Sequence, residues 1–153
     1  MSGFRATVSF LMLLLASGSL SVQAAETVQY GNVIVSEVTS IYDGDTFRVT
    51  IKDWPAIAGY RIGVRVKGVD TPEISGKCPE EKALARKAKQ FTVGLLRSGQ
   101  PVELRNLQRD KYFRLLADVY VGKRNLATEL KKAGLGYDYQ GGKRKRWCPV
   151  PGA

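Results

Sequence analysis

The first part of the chain alternates β-branched and polar residues. The run "NVIVSEVTSIYDGDTFRVTI" alternates on both sides of Asp43 and Gly44, and an Asp-Gly pair between two such runs is a strong hairpin signal. The next run, "GYRIGVRVKGV", predicts a third strand with valines on one face and Arg65 and Lys67 on the other. We therefore expect three consecutive strands, with "KDWPAIAG" as a loop between the second and the third.

A helical pattern follows the third strand. Pro79 lies at the predicted first turn and Gly99 beyond the predicted end, which frames a helix of about twenty residues. The "PVELRNL" and "FRLLADVYV" segments then predict two more strands, and "NLATELKKAG" predicts a short helix with Asn125 as its N-cap. The apolar positions of the long helix recur with the helical period at Leu84, Ala88, Phe91 and Leu95.

This element order predicts the fold class. Three strands, a helix and two strands match a five-stranded OB-type barrel with a helix inserted after strand three. We therefore predict an α+β, mainly β fold with a second short helix near the end, although other small α+β folds suit the same composition. We find no internal repeat, heptad pattern or linker that would divide the chain.

Residues 1–24 are predicted to be a signal peptide. Arg5 forms a thin basic region, "VSFLMLLLASGSL" an apolar region, and "VQA" before Ala25 a cleavage site of small residues. The apolar run is too short and too interrupted by serine and glycine for a comfortable membrane span. We therefore expect a periplasmic or secreted mature domain of residues 25–153 without a stable membrane anchor.

The chain is strongly basic and contains no histidine. Its formal net charge is +10, and removal of Arg5, the only charged residue of the predicted signal peptide, leaves +9. This charge favours a polyanionic partner, although solubility alone would also explain it. Without histidine there is no Ser-His-Asp triad and no histidine-based zinc site. Proton transfer in an enzyme of this sequence would fall to a carboxylate, lysine or tyrosine, and a hard metal bound by oxygens would be the natural helper.

The two cysteines, Cys78 and Cys148, are an even number. In an oxidising compartment they predict one disulfide, with two free thiols as the alternative. Closing a loop of roughly 70 residues would stabilise the fold by about 4 kcal/mol on the chain-entropy model.

Three acids and two arginines are candidates for a site that binds metal and phosphate. Asp45 of "YDGDTF" is predicted to take a strand position although aspartate is a poor strand former, since Asp43 and Gly44 already satisfy the turn. The "DTPE" string resembles a helix start, but its continuation "ISGKCP" breaks the helix before it begins. Alternation alone would place Arg65 and Asp70 on opposite faces, so their convergence needs a bend near Gly68 or Val69. The candidate residues are Asp45, Arg65, Asp70, Glu73 and Arg114.

The segments "YDGDTF", "RVKGVDTPE" and "DKYFR" together resemble the staphylococcal nuclease (thermonuclease) family. The family pattern is D-G-D-T, then R-x-x-x-x-D-T-P-E, then D-K-Y-G-R, and the likeness extends from about Val35 to Tyr139. The resemblance implies an OB barrel and a calcium-dependent phosphodiesterase acting on DNA and RNA, with products that carry 3′-phosphates. Three motifs in this order make a chance similarity improbable.

The resemblance also implies roles for individual residues. Asp45 and Asp70 match the calcium-binding carboxylates, and the main-chain carbonyl of Thr71 matches a further ligand. Glu73 matches the carboxylate that activates or positions the attacking water, while Arg65 and Arg114 match the pair that grips the scissile phosphate. The nucleotide-binding positions are matched by Lys111, Tyr112, Tyr137 and Tyr139.

Three features depart from the family pattern. Phe113 replaces the glycine before the second arginine, "ISGKC" replaces a lysine-rich loop, and no long C-terminal helix follows "KRKRWC". We expect the Cys78–Cys148 disulfide to substitute for that helix by fastening the tail to the barrel. The basic run Lys143–Arg146 suits either a solvated tail or extra contacts to phosphate.

Two other functions remain open from the sequence. A nucleic-acid-binding OB module without turnover would explain the basic and aromatic residues but not three acids in a basic groove. A binder of polysaccharide or of a membrane surface would explain the charge but not the acids. We expect a monomeric nuclease with DNA and RNA as substrates.

Overall fold

The computed structural model describes residues 28–149, so the predicted signal peptide lies outside the described part. No helix within residues 28–149 is long and apolar enough to cross a membrane. The strands are β1 (Val33–Ile34), β2 (Glu37–Ile41), β3 (Thr46–Thr50), β4 (Ile62–Val66), β5 (Gly68–Asp70), β6 (Val102–Arg109), β7 (Leu115–Val121), β8 (Arg124–Asn125) and β9 (Tyr137–Tyr139). The helices are α1 (Ala56–Gly59), α2 (Pro79–Leu96) and α3 (Leu126–Lys132).

The main sheet has the strand order β1-β6-β7-β4-β3-β2 and curls back on itself. Its two ends, β1 and β2, are successive segments of one bent strand. At the bend the N–H of Val35 bonds to Val102 O (2.8 Å) and that of Ser36 to Thr50 O (3.0 Å). The β4–β7 pairing is parallel and the other pairings are antiparallel. The mainly β, OB-type fold with a helix inserted after the third barrel strand is therefore confirmed.

Alternation places the core inside this curled sheet. Val64 and Val66 on β4 are buried, as their face of the strand predicted, and every second residue of β7 is buried as well. Helix α2 packs over the sheet, but its buried face is rotated from the predicted one. Leu84 and Phe91 are only half-buried. The face that packs against the core instead includes two polar side chains, Glu81 and Thr92.

The helix ends follow the predicted signals. The N-cap of α2 is Cys78, whose Sγ accepts a hydrogen bond from the N–H of Glu81 (3.4 Å), and Pro79 occupies the first turn. Asn125 caps α3 by accepting from the N–H of Thr128 (3.0 Å). Two details of the prediction were wrong. The predicted "KDWPAIAG" loop contains the single turn α1, and the predicted third strand is divided at Lys67 into β4 and β5.

A disulfide joins Cys78 to Cys148, with 5.9 Å between the Cα atoms, and so confirms the predicted pairing. It connects the start of α2 to the C-terminal segment. Glu81 lies beside the two sulfurs, but sulfurs joined to each other are not thiolates, and the cluster is therefore not a metal site.

We predict that reduction of this disulfide destabilises the domain. The cross-link spans 70 positions, so the chain-entropy model gives a loss of about 4 kcal/mol in the free energy of unfolding. Urea unfolding of the oxidised and the reduced protein measures this loss of free energy. As a control, the urea midpoint of a variant with both cysteines changed to serine should not change when reductant is added. Equal midpoints for the oxidised and the reduced native protein would contradict the prediction.

Candidate active site

A bend at Gly68 brings the two halves of "RVKGVDTPE" together. Gly68 has φ +78°, a left-handed conformation that glycine adopts without steric cost. The chain turns there from β4 into β5, and Arg65 and Asp70 then point into the same space. Arg65 Nη2 lies 3.3 Å from Asp70 Oδ1. The required bend is therefore present, and strand parity does not separate the two residues.

The turn between β2 and β3 supplies the second carboxylate. Asp45 lies in this turn, just before β3 rather than within the strand as predicted. Its Oδ2 accepts hydrogen bonds from the N–H (2.7 Å) and the Oγ1 hydroxyl (2.9 Å) of Thr71. The hydroxyl of Thr92 on α2 donates to the carbonyl of Gly44 (2.7 Å). The turn is therefore tied both to the end of β5 and to the long helix.

Most of the predicted site residues line one cavity of about 760 Å³, which we call the site cavity. Asp70 and Thr71 do not line it: both are buried, with 2% and 1% of their surfaces exposed, and they form its base only through contacts with the lining side chains of Arg65 and Arg144. Tyr137, predicted to bind nucleotide, does not line the cavity. Its ring instead stacks on Trp147, with 4.1 Å between ring centroids. The predicted residues that line it are Asp45, Arg65, Glu73, Lys111, Tyr112, Arg114 and Tyr139.

The oxygens at the base of the site cavity suit a hard cation. Asp45 and Asp70 offer carboxylate oxygens, and Asp70 Oδ2 is buried without a hydrogen-bond partner among residues 28–149. The carbonyl of Thr71 already faces a positive group, since Arg144 Nη2 donates to it at 2.9 Å. Carboxylate and carbonyl oxygens are the ligands that calcium prefers, and water or substrate would complete its shell. These residues therefore fit a calcium ion.

A further acid of the same turn, Asp43, was not predicted as part of the site. It lines the site cavity, and its Oδ1 accepts from the N–H of Asp45 (3.1 Å). Burial, together with the charge of Asp45, raises the pKa of Asp43 to about 7. A cation at the base of the cavity would therefore favour its ionised form.

Acidic side chains hold both arginines of the predicted pair. Arg65 forms ion pairs with Asp45 and Asp70. Arg114 donates from Nε to Asp110 Oδ2 (2.7 Å), and its backbone N–H donates to Asp110 Oδ1 (3.0 Å). Burial alone would raise the pKa of Asp110, but the hydrogen bonds from Arg114 outweigh burial and hold it below its usual range. The Asp110 carboxylate thus fixes the direction of the Arg114 guanidinium.

Glu81 is a positioning residue that sequence reasoning missed. It resembled an ordinary acid in the first turn of a helix, yet it is 9% exposed and turned inward. Its carboxylate accepts from the N–H of Lys77 (3.0 Å) and, at 3.4 Å, from that of Glu73. A Cβ on Gly76 would lie only 2.5 Å from Glu81 Cγ. Glu81 therefore organises the short loop that carries Glu73.

Arg144 was also missed, because the basic run suggested either a solvated tail or phosphate contacts. Its guanidinium instead enters the site cavity. Nε lies 2.8 Å from Asp70 Oδ1, and Nη1 forms an ion pair with Glu73. The positive charge of Arg144 thus lies between a predicted metal ligand and the predicted water-activating carboxylate.

Comparison with known proteins agrees with this geometry. The sequence profile of the family described as Staphylococcal nuclease homologue matches residues 63–146, more than half of the chain. The protein belongs to this family. The match includes Arg65, the "DTPE" segment, "DKYFR" and the arginine that enters the cavity.

The curated relatives are fungal proteins named as endonucleases. Probable endonuclease LCL3 of Phaeosphaeria nodorum is 29% identical over 96 residues, covering 59% of this chain and 32% of the relative. Probable endonuclease lcl3 of Pyrenophora tritici-repentis is 26% identical over 129 residues (70% of this chain, 47% of the relative). Probable endonuclease lcl3 of Neosartorya fischeri is 27% identical over 134 residues (70% of this chain, 45% of the relative). The chain spans 32% to 47% of the length of these relatives.

We predict that Gly44→Ala disrupts the site. A Cβ there would lie 2.9 Å from Ala88 Cβ and 2.9 Å from Thr71 Cγ2, so the turn would have to move away from α2 and β5. We expect a loss of about 1–3 kcal/mol in the free energy of unfolding, together with weaker calcium binding because Asp45 is displaced. Urea unfolding and isothermal titration calorimetry measure the two effects.

Gly94→Ala is the matched control. Gly94 is an exposed residue of α2, and a Cβ there would meet nothing within 4 Å. The same change should therefore stabilise the helix by about 1 kcal/mol and leave calcium binding unchanged. A Gly44→Ala protein as stable as the Gly94→Ala protein would contradict our account of the turn.

Proposed function

We propose that the protein is a calcium-dependent nuclease that hydrolyses DNA and RNA with little sequence specificity and leaves 3′-phosphates. One observation carries the proposal: a single cavity brings together the carboxylates of Asp45 and Glu73 and the guanidiniums of Arg65 and Arg114, above the buried Asp70. Membership of a nuclease family and the endonuclease names of the relatives support the same reaction class. On the pattern of residues 1–24, we propose that the enzyme acts in the periplasm or outside the cell.

Arg65 and Arg114 bind the scissile phosphate in this proposal. Negative charge accumulates on the equatorial oxygens during hydrolysis, and a planar guanidinium can donate two parallel hydrogen bonds to them. A guanidinium therefore matches both the shape and the charge of the phosphate. Because Asp110 already holds Arg114, little reorganisation is needed when substrate arrives.

Glu73 moves the proton in the chemical step. The oxygen of a water attacks phosphorus, and the Glu73 carboxylate takes a proton from that water. The bond from phosphorus to the 5′-oxygen breaks, and this oxygen takes a proton from solvent water and leaves as a 5′-hydroxyl, while Glu73 returns its proton to solvent. A calcium ion held by Asp45, Asp70 and the Thr71 carbonyl would neutralise phosphate charge and fix the orientation of phosphate and water.

The remaining polar and aromatic residues of the cavity position the nucleotide. Lys111 and Tyr112 are exposed at its edge, with Lys111 Nζ 5.1 Å from the centre of the Tyr112 ring. Tyr139 also lines the cavity, with its ring centre 6.0 Å from the Arg65 guanidinium. These groups offer a charge for a neighbouring phosphate and ring faces for a base or sugar.

We predict that Asp45→Ala, Glu73→Gln and Arg114→Ala each lower cleavage by about a hundredfold or more, because each removes a group that acts in the transition state. The assay uses supercoiled plasmid and single-stranded DNA, with calcium or with a chelator. Arg86→Ala is the control, since Arg86 is exposed on α2 away from the site cavity. Product ends that a polymerase extends only after phosphatase treatment identify 3′-phosphates.

Other outcomes would select a different function. Salt-sensitive binding of DNA without cleavage under any divalent metal would indicate a non-catalytic OB module. Cleavage that persists in chelator would contradict calcium dependence. Failure of a nucleoside 3′,5′-bisphosphate to compete for the site would favour a polysaccharide or membrane-surface binder.

A further inference from the structure

A second groove opens beside the site cavity and continues from it. It has a volume of about 420 Å³. Tyr42, Thr46, Tyr112 and Arg114 line both spaces, so the two are adjacent. We call this second space the aromatic groove, after the four exposed rings that line it together with the buried Phe47: Tyr42, Tyr60, Tyr112 and Phe113.

These four rings contribute little to the folded core. Phe113 is 81% exposed, Tyr60 66%, Tyr112 65% and Tyr42 58%. Single exposed apolar residues are common on protein surfaces, but exposed rings collected around one groove mark a binding surface. The rings therefore offer their faces to a ligand rather than to the barrel.

Phe113 holds its exposed position against a local conformational penalty. Its φ is +63°, a region that costs a non-glycine residue about 1–2 kcal/mol. The family pattern has glycine here, which adopts this φ freely. Asp110 and Arg109 hold the turn, because Phe113 N donates to Asp110 O (3.2 Å) and Arg109 Nη1 donates to Phe113 O (2.8 Å). Neither backbone geometry nor core packing explains why a phenylalanine ring is present at this position.

The charge of the aromatic groove differs from that of the site cavity. Its lining includes Arg48, Arg61 and Arg114 and contains no acidic residue. Arg48 Nη1 donates to the carbonyl of Arg61 (3.1 Å), which fixes one guanidinium along the groove. Arginines among exposed rings are complementary to a polyanion that also presents flat aromatic faces.

We propose that the aromatic groove binds a single-stranded segment of the substrate next to the scissile phosphate. Arg114 lies at the junction of the two spaces, so a strand whose phosphate contacts Arg114 extends directly into the groove. Its bases stack on Phe113 and Tyr60 while its phosphates contact Arg48 and Arg61. A paired duplex keeps its bases stacked on each other and cannot offer these faces. This inference rests on the proposed nuclease function.

The test compares binding of a short and a longer single strand. Affinity for a dinucleotide and an octanucleotide is measured by fluorescence anisotropy in chelator, so that neither is cut. Phe113→Gly and the double variant Phe113→Gly/Tyr60→Ser should weaken octanucleotide binding about tenfold per ring, because base stacking is of that magnitude. Phe113→Gly should also raise the melting temperature, which excludes unfolding as the cause of the loss.

Ile57→Ala is the control, since Ile57 is 98% exposed on α1 and does not line the groove. It should leave octanucleotide binding unchanged. Unchanged octanucleotide affinity in the double variant would overturn the inference, and so would an equal loss for duplex DNA. Length-dependent binding through these rings without any cleavage would overturn the nuclease function and leave the strand-binding groove in place.

The C-terminal segment carries a second, independent inference. Residues 142–148 are attached to the rest of the domain at several points, and Arg144 among them lines the site cavity. The Tyr139 hydroxyl donates to the Gly142 carbonyl (3.0 Å), Trp147 stacks on Tyr137, and Cys148 closes the disulfide. We call this segment the strap.

Within the strap, Arg144 contacts three of the groups assigned to metal and water. Nη2 donates to the Thr71 carbonyl (2.9 Å), Nε lies 2.8 Å from Asp70 Oδ1, and Nη1 pairs with Glu73. A calcium ion bound by Asp70 and Thr71 would place a second positive charge against the same oxygens. Guanidinium and cation therefore exclude each other.

We infer that the strap is an internal competitor for the calcium site. The disulfide keeps Arg144 at a high effective concentration beside the carboxylates. Calcium binds only the fraction of molecules whose strap has moved away, which lowers its apparent affinity by that fraction.

Isothermal titration calorimetry of calcium, without substrate, tests the strap. Arg144→Ala should bind calcium about tenfold more tightly if the strap is closed in nine molecules of ten. Arg146→Ala is the matched control, because Arg146 is an exposed arginine of the same strap and its loss changes the net charge equally. A variant with both cysteines changed to serine should also bind calcium more tightly, because the tether is lost.

Equal or weaker calcium binding by Arg144→Ala than by Arg146→Ala would overturn competition and would mean that Arg144 only organises the acids. Absence of calcium binding in every variant would overturn the calcium site itself. The two failures are therefore distinguishable.

Discussion

The site depends on the buried contact between Asp45 and Thr71. Both hydrogen bonds end on one carboxylate oxygen, at 2.7 and 2.9 Å, and they join a hairpin turn to the end of β5. Buried polar groups are costly unless paired, so this contact fixes the relative positions of two segments that are 26 residues apart. Gly44 permits the close approach of the turn to Thr71. The bend at Gly68 directs the chain into β5, at whose end Thr71 lies.

Charge balance is the second constraint on the site. Buried carboxylates repel each other unless cations lie between them. Two arginines supply those cations: Arg65 pairs with Asp45 and Asp70. Arg144 pairs with Asp70 and Glu73. Binding of metal and phosphate would therefore be an exchange of partners, in which the metal takes over carboxylates from arginines and the phosphate takes over an arginine from carboxylates.

Much of the fold could be predicted because its signals are local. Alternation identified the faces of the barrel strands, and Pro79 and Asn125 identified the starts of two of the helices, α2 and α3. The motif residues of the site were predictable through the family pattern. Arg144 was not, because a basic run near the end of the chain carries no sign of a partner 71 or more positions earlier. Glu81 resembled a first-turn acid, and nothing in the sequence marks Phe113 as left-handed, since phenylalanine rarely adopts that φ.

The most direct test of the account is a crystal structure with calcium and a nucleoside 3′,5′-bisphosphate bound. We predict a cation bonded to Asp45, Asp70 and the carbonyl of Thr71, a phosphate between Arg65 and Arg114, and the Arg144 guanidinium withdrawn from the cavity. A cation bound elsewhere, with Arg144 still paired to Asp70, would contradict the proposed metal centre.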